Sequence, residues 1–185
     1  IYIVCHGLLA RVTENNLQFV ENLSELKDAT GAYEDSKGNI WISGKKGIYK
    51  ISESGTTFYG AAEGIDAIPT AGPIVEDKDG NIWYAGINTT IFTKSTGIFI
   101  LKPKGAVYKY NGTKWTKYDV GEKKIVTDLY ADNQGNIWVS ASTEIFKFDG
   151  DSFVKLRDCS KTRSYIKIFQ DSKENYWFGR GSFKG

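Results

Sequence analysis

Glu76-Asp77-Lys78-Asp79-Gly80-Asn81-Ile82-Trp83 is the stretch on which the fold turns, because the chain repeats it. Gly38-Asn39-Ile40-Trp41 and Gly135-Asn136-Ile137-Trp138 carry the same four residues, and Glu174-Asn175-Tyr176-Trp177 is a degenerate copy. Each follows an acidic turn that starts at Asp35, Asp77, Asp132 or Asp171. The tryptophans stand 42, 55 and 39 residues apart. Counting back from Trp41 by the shortest of these spacings reaches Tyr2 in Ile1-Tyr2-Ile3-Val4, which reads as a fifth, diverged copy. Recurrence at fixed spacing is the signature of a repeat architecture.

Outward from the repeated stretch, the unit is all β. A short β-rich segment precedes each copy, as in Pro73-Ile74-Val75-Glu76 or Ile166-Lys167-Ile168-Phe169. Asp-x-x-Gly-Asn follows as a hairpin turn: Asp and Asn bond nearby backbone, and Gly accepts positive φ. Then come the tryptophan strand, a short loop and a third strand, for example Ala106-Val107-Tyr108-Lys109-Tyr110 or Glu144-Ile145-Phe146-Lys147-Phe148. Apolar and polar residues alternate, as antiparallel pairing requires. Asn111-Gly112 and Asp149-Gly150 mark a second tight hairpin, and a fourth strand follows.

Four short antiparallel strands per ~40 residues make one propeller blade. The expected fold class is therefore all-β: a β-propeller of four-stranded antiparallel blades, three complete and one partial at each end. The repeats span approximately 1–30, 31–71, 72–124, 125–163 and 164–185, in one domain or part of one. Residues 87–104 read as a hairpin inserted between the second and third strands of the third repeat. The blade aromatics Tyr2, Trp41, Trp83, Trp138 and Trp177 are expected to fill the space between blades. A ring could close if the first strand of the last repeat completed the first blade. Membership of a larger ring is the simpler expectation.

Composition sets limits. A chain of 185 residues that is 41% hydrophobic and 14% aromatic folds rather than remaining disordered. No apolar run reaches the ~20 residues a membrane-spanning helix needs. Lys+Arg 24 against Asp+Glu 22, interspersed, provides no concentrated basic surface for nucleic acid. The single histidine, His6, excludes a histidine-rich metal centre, and Cys5 and Cys159 form no Cys-x-x-Cys motif. No cofactor and no metal are expected. The chain contains no methionine and starts at Ile1, which reads as a processed chain or a piece of a longer one.

The pattern of an acidic Asp-x-x-Gly-Asn-Ile-Trp, a short loop, Gly-Ile-Tyr-Lys at 47–50 or its variants, then Asp/Asn-Gly, resembles the two-component regulator propeller repeat. The clearest copies are residues 76–83 and 131–138. The resemblance covers most of the chain apart from 87–104 and 60–70. It implies a seven-bladed ring in the exported or periplasmic sensor region of a hybrid two-component regulator, of the kind frequent in gut Bacteroidetes and often reading glycan breakdown products. The implied function is non-catalytic sensing of a small ligand such as an oligosaccharide, or of a protein partner.

Within a blade the loops alternate between two faces. The Asp-x-x-Gly and Asn-Gly turns share one face and are uniform. The loops after the tryptophan strands share the other face and vary, which is where recognition sits on a rigid scaffold. Lys45, Lys46, Asn88, Thr89 and Arg180 are the candidate ligand contacts on that face. Asp77-Lys78-Asp79-Gly80-Asn81 has carboxylates in the manner of a calcium loop but lacks the distal bidentate glutamate, so it reads as a turn. Cys5 and His6 point to opposite faces of a strand and make no nucleophile–base pair. Trp115 and Tyr118 could form a platform for sugar rings; packing against the inserted hairpin is the preferred reading. Two other functions remain in view: a small five-bladed lectin or interaction scaffold, which needs one equivalent pocket per blade, and a propeller lyase, which needs a general base.

Overall fold

Five antiparallel sheets succeed one another along the chain in this computed structural model, which describes residues 2–5, 8–13, 16–22, 29, 31–44, 47–66, 73–93, 99–122, 124–159 and 165–181. The first sheet holds β1 (Tyr2–Cys5), β2 (Leu8–Thr13) and β3 (Asn16–Asn22). The second holds β4 (Gly31–Glu34), β5 (Ile40–Gly44), β6 (Gly47–Ser52) and β7 (Gly55–Tyr59). The third holds β8 (Ile74–Glu76), β9 (Ile82–Thr93), β10 (Phe99–Tyr110) and β11 (Trp115–Glu122). The fourth holds β12 (Val126–Ala131), β13 (Ile137–Ala141), β14 (Glu144–Phe148) and β15 (Phe153–Asp158). The fifth holds β16 (Tyr165–Gln170) and β17 (Tyr176–Gly181).

Strands follow chain order within every sheet, so each four-stranded sheet is a meander, and neighbouring sheets meet along their first strands: β4 beside β8, β8 beside β12, β12 beside β16. This is the propeller arrangement, with first strands innermost. In the first sheet β1 lies beside β4 and occupies the tryptophan-strand position. Register supports that placement. Trp41 pairs with Lys50, Trp83 with Lys109 and Trp138 with Lys147; Tyr2 pairs with Arg11 in the same way. In the three tryptophan cases the lysine ammonium lies 5.0–5.5 Å from the indole ring, a distance at which cation and π face attract.

The core is divided into clusters, each between consecutive sheets. Leu9 packs on Ile40 and Ile42; Trp41 and Ile48 pack on Tyr84 and Tyr108. Trp83 and Val107 pack on Leu129 and Phe146, and Trp138 and Ile145 on Ile168. Among the described residues, each of these clusters joins two consecutive sheets.

Residues 87–104 include the continuation of β9 and β10 beyond the rest of the blade. β9 and β10 run on as a single ladder from Ile82↔Tyr110 to Thr93↔Phe99, while β8 pairs only with residues 82–84 and β11 only with residues 104–110. The extra sequence is thus a two-stranded ribbon grown from the blade's two middle strands. Alternation of β-formers through Thr89-Thr90-Ile91-Phe92 continues the strand pattern without a break.

Candidate functional site

The uniform face is built from one repeated device. Asp77 accepts hydrogen bonds from the backbone N–H of Asp79 (3.0 Å) and Asn81 (2.9 Å), from the Asn81 amide (2.9 Å) and from the Trp83 indole (2.7 Å). Asp35 holds Asn39 and Trp41, Asp132 holds Asn136 and Trp138, and Asp171 holds Asn175 and Trp177 in the same manner. Glycine at φ near +80° closes the turn in three copies; Glu174, at φ +65°, closes the fourth. Burial alone would raise the carboxyls of Asp35, Asp77 and Asp132. The indole and asparagine bonds, joined at Asp132 by the Tyr176 hydroxyl, outweigh it and hold all three below the ordinary aspartate value. Asp171, held mainly by the Trp177 indole, falls to about 2. The turn aspartates thus spend their lone pairs on the donors of their own turn and tryptophan. The turn reading stands. The signal for the Asp–Trp bond is the constant six-residue spacing, which sequence reasoning read only as a turn followed by a filler.

A second link joins neighbouring blades on this face. The Ser36 backbone N–H and hydroxyl both donate to Glu76, each at 2.7 Å, and the Asn133 N–H donates to Gln170 at 2.9 Å. Glu76 and Gln170 immediately precede the turn aspartates Asp77 and Asp171. At the junction between these two, the equivalent residue is Ala131, which has no acceptor.

The varied face carries the candidate contacts. Lys45 and Lys46 lie outside the described residues. Asn88 and Thr89 lie not in a short loop but in β9, paired with Lys104 and Pro103. Arg180 lies in β17 and pairs with Ile166. The structure does not bring these five positions into one described cluster. It shows instead a group of charges that sequence reasoning did not single out. Lys104 pairs with Asp119 at 3.0 Å at the base of the ribbon. Glu144, at the start of β14, pairs with Lys124 and, at 3.3 Å, with Lys155. The Lys124 ammonium, then Lys155, holds the Glu144 carboxyl below its ordinary value against the opposing effect of burial. Ser142, at φ +56°, fixes this loop: its N–H donates to the Ile125 carbonyl at 2.7 Å and its hydroxyl accepts from the Ile125 N–H at 3.1 Å.

Among the described residues, Trp115 and Tyr118 pack between blades. Trp115 packs on Trp41 and Tyr59 of the preceding blade and on Tyr110. Tyr118 stacks on Trp83 and meets Phe148 and Phe153 of the following blade. Alternation puts these two aromatics, three residues apart, on opposite strand faces, but does not say which neighbour each face meets. His6 lies outside the described residues. Cys159 is half-buried and follows directly on β15.

Fold and repeated turn together define a β-propeller built from tryptophan-clamped blades. Residues 121–143, which span β12, its turn and β13, match the family model described as the two component regulator propeller. The match covers one repeat of the chain. The Asp–Asn–Trp device of this segment recurs at 35–41, 77–83 and 171–177. Among solved structures, PorZ, a surface component of the type-IX secretion system of Porphyromonas gingivalis, matches with TM-score 0.62 and 12% identity over 95% of this chain and 29% of that chain. The extracellular domain assigned to a hybrid two component system of B. thetaiotaomicron matches with TM-score 0.47 and 17% identity over 97% of this chain and 31% of that one. The chain thus spans less than a third of either length. No curated protein matches it.

Proposed function

We propose that the chain is part of a non-catalytic sensing propeller, exported or periplasmic, that reads a small ligand such as an oligosaccharide on its varied face. The observation that carries this is the contrast between faces. One face repeats the same saturated turn from blade to blade, and the matched segment is a regulator propeller repeat. The other carries the β9–β10 ribbon and the Lys124–Glu144–Lys155 group, neither of which recurs in the other described blades. A recognition surface built on a rigid repeat has this asymmetry. The lectin alternative needs equivalent pockets on every blade, and this asymmetry counts against it.

The test is a melting-temperature screen against a panel of neutral and acidic oligosaccharides, followed by titration calorimetry on any that raise Tm. Binding that is lost on Lys124→Ala or on shortening the ribbon supports the assignment. Binding that is unaffected by both places the ligand elsewhere, and no binding across the panel removes the oligosaccharide reading.

A further inference from the structure

Two turns of the uniform face are near copies of one another. Asn111-Gly112-Thr113-Lys114 joins β10 to β11, and Asp149-Gly150-Asp151-Ser152 joins β14 to β15. In the first, the Asn111 amide oxygen accepts from the backbone N–H of Thr113 (3.1 Å) and of Lys114 (3.0 Å). In the second, an Asp149 carboxylate oxygen accepts from the backbone N–H of Asp151 (2.9 Å) and of Ser152 (2.8 Å). The backbone closes both turns alike: the Asn111 N–H donates to the Lys114 carbonyl, and the Asp149 N–H to the Ser152 carbonyl. Gly112 and Gly150 take φ +95° and +110°. The capping place of one turn thus holds an amide in the third blade and a carboxylate in the fourth.

Three features expose the Asn111 amide to attack. First, of all the asparagines in the chain only Asn111 precedes a glycine; Asn39, Asn81 and Asn136, in the other turns of this face, precede isoleucine. Glycine has no Cβ to hold its nitrogen away from the preceding side chain. Second, the turn is open. Residues 111–114 are all exposed, and a Cβ added at Gly112 would meet nothing within 4 Å. Third, the Thr113 hydroxyl also donates to the Asn111 amide oxygen, at 2.9 Å. Three donors on one carbonyl oxygen polarise its carbon and stabilise the charge that gathers on oxygen when a nucleophile adds, as an oxyanion hole does. The Gly112 nitrogen is tethered to the same residue, so its attack is intramolecular.

We propose that Asn111 is a self-modification site: in the folded protein the three donors on its amide oxygen promote deamidation through a succinimide with Gly112, and the turn keeps the aspartate that forms. The Gly112 nitrogen gives up its proton and bonds to Asn111 Cγ; the Cγ–Nδ2 bond breaks and ammonia leaves. Water then opens the ring, at Cγ to give aspartate or at the Asn111 main-chain carbonyl to give isoaspartate. The fourth blade shows the fate of the first product. Its turn accommodates a carboxylate at this place, and the backbone N–H groups of Ser152 and Asp151 hold the Asp149 carboxyl below its ordinary value. Aspartate at position 111 meets the matching N–H groups of Lys114 and Thr113. Isoaspartate instead lengthens the main chain and moves the carboxylate off the side-chain position those donors face. The product adds one negative charge to the uniform face.

The test holds the 185-residue protein at mildly alkaline pH and follows every asparagine by peptide mapping, with isoaspartyl methyltransferase labelling to count isoaspartate. Asn111 is expected to deamidate at least tenfold faster than any other asparagine. The ratio of aspartate to isoaspartate at this position is expected to be at least threefold higher than in a synthetic peptide of residues 106–119. Thr113→Val, which removes the hydroxyl donor at an exposed position, is expected to slow the reaction at least threefold. Asn111→Asp is expected to keep the Tm of the parent. Asn111 that stays an amide in the folded protein yet deamidates in urea overturns the proposal, since the fold then protects it. An equal rate in the Thr113→Val protein overturns it too, as does a lowered Tm in the Asn111→Asp protein.

Discussion

Asp77 and Asp171 hold the same donors in the same geometry, yet they differ in what their loss should cost. At Asp77 the Trp83 indole N–H is buried, so Asp77→Ala leaves it without an acceptor. By the usual cost of removing a charged acceptor from a buried donor, about 2–3 kcal/mol of stability is expected to vanish. At Asp171 the Trp177 indole is 58% exposed and water replaces the carboxylate. Asp171→Ala is expected to leave the denaturation midpoint unchanged, and urea titrations of both variants check the contrast. The depressed carboxyls also set the acid limit. Stability from Asp35, Asp77 and Asp132 is fully present above the unfolded aspartate value of about 3.9 and is lost as pH falls through the lower folded values. Tm should be flat from near neutral to about pH 5 and fall steeply below about pH 4. Glu174 stands where the other three turns have glycine and adopts φ +65°. Glu174→Gly is expected to relieve about 1 kcal/mol of backbone strain, read as slower hydrogen exchange in the β16–β17 hairpin.

For whole elements the informative unit is the junction. The Ser36–Glu76 and Asn133–Gln170 bonds fasten a turn to the blade after it, and Ala131 leaves the middle junction without this fastener. Ala131→Glu is expected to add about 1 kcal/mol, a rise in Tm of about 2–4 °C for a chain of this length. A fall in Tm would mean that Lys78, whose stem lies against Gly135, already occupies the space the new side chain needs. Much of this level was legible beforehand. Strand order, the turns and the between-blade role of Trp41, Trp83 and Trp138 follow from Gly-Asn-Ile-Trp and its flanks, because periodicity of two and turn residues are local signals. The six-residue Asp–Trp spacing was equally present, but a spacing does not say which atoms meet. The partners of Trp115 and Tyr118 were not legible, because they depend on which sheet faces which. Nor was the continuity of the ribbon, since Pro103 suggests a break that the ladder runs past.

Across the molecule, stability is spread over nearest neighbours rather than held in one centre, as expected when every core cluster lies between two sheets. The candidate recognition face was legible only as a location. Its charges arrive from β10, β11, Lys124 before β12, and the starts of β14 and β15, which are separated in sequence and brought together by the third and fourth sheets. Lys45, Lys46, Asn88, Thr89 and Arg180 were chosen by loop position alone, and loop position does not specify convergence.

The tryptophan cover gives the molecule a direction. Among the described blades, the rings of Trp41, Trp83 and Trp138 are covered by aromatics of the sheet that follows. Removing a sheet from the carboxyl end therefore strips the lid from one tryptophan each time: Trp138 first, then Trp83, then Trp41. Removing β1–β3 from the amino end strips none. Stepwise trimming from the two ends should thus leave opposite optical records. Loss of the fifth sheet takes away the exposed Trp177 and uncovers Trp138, whereas loss of β1–β3 takes away and uncovers no tryptophan, so that a spectrum reports which end of the array a protease has reached.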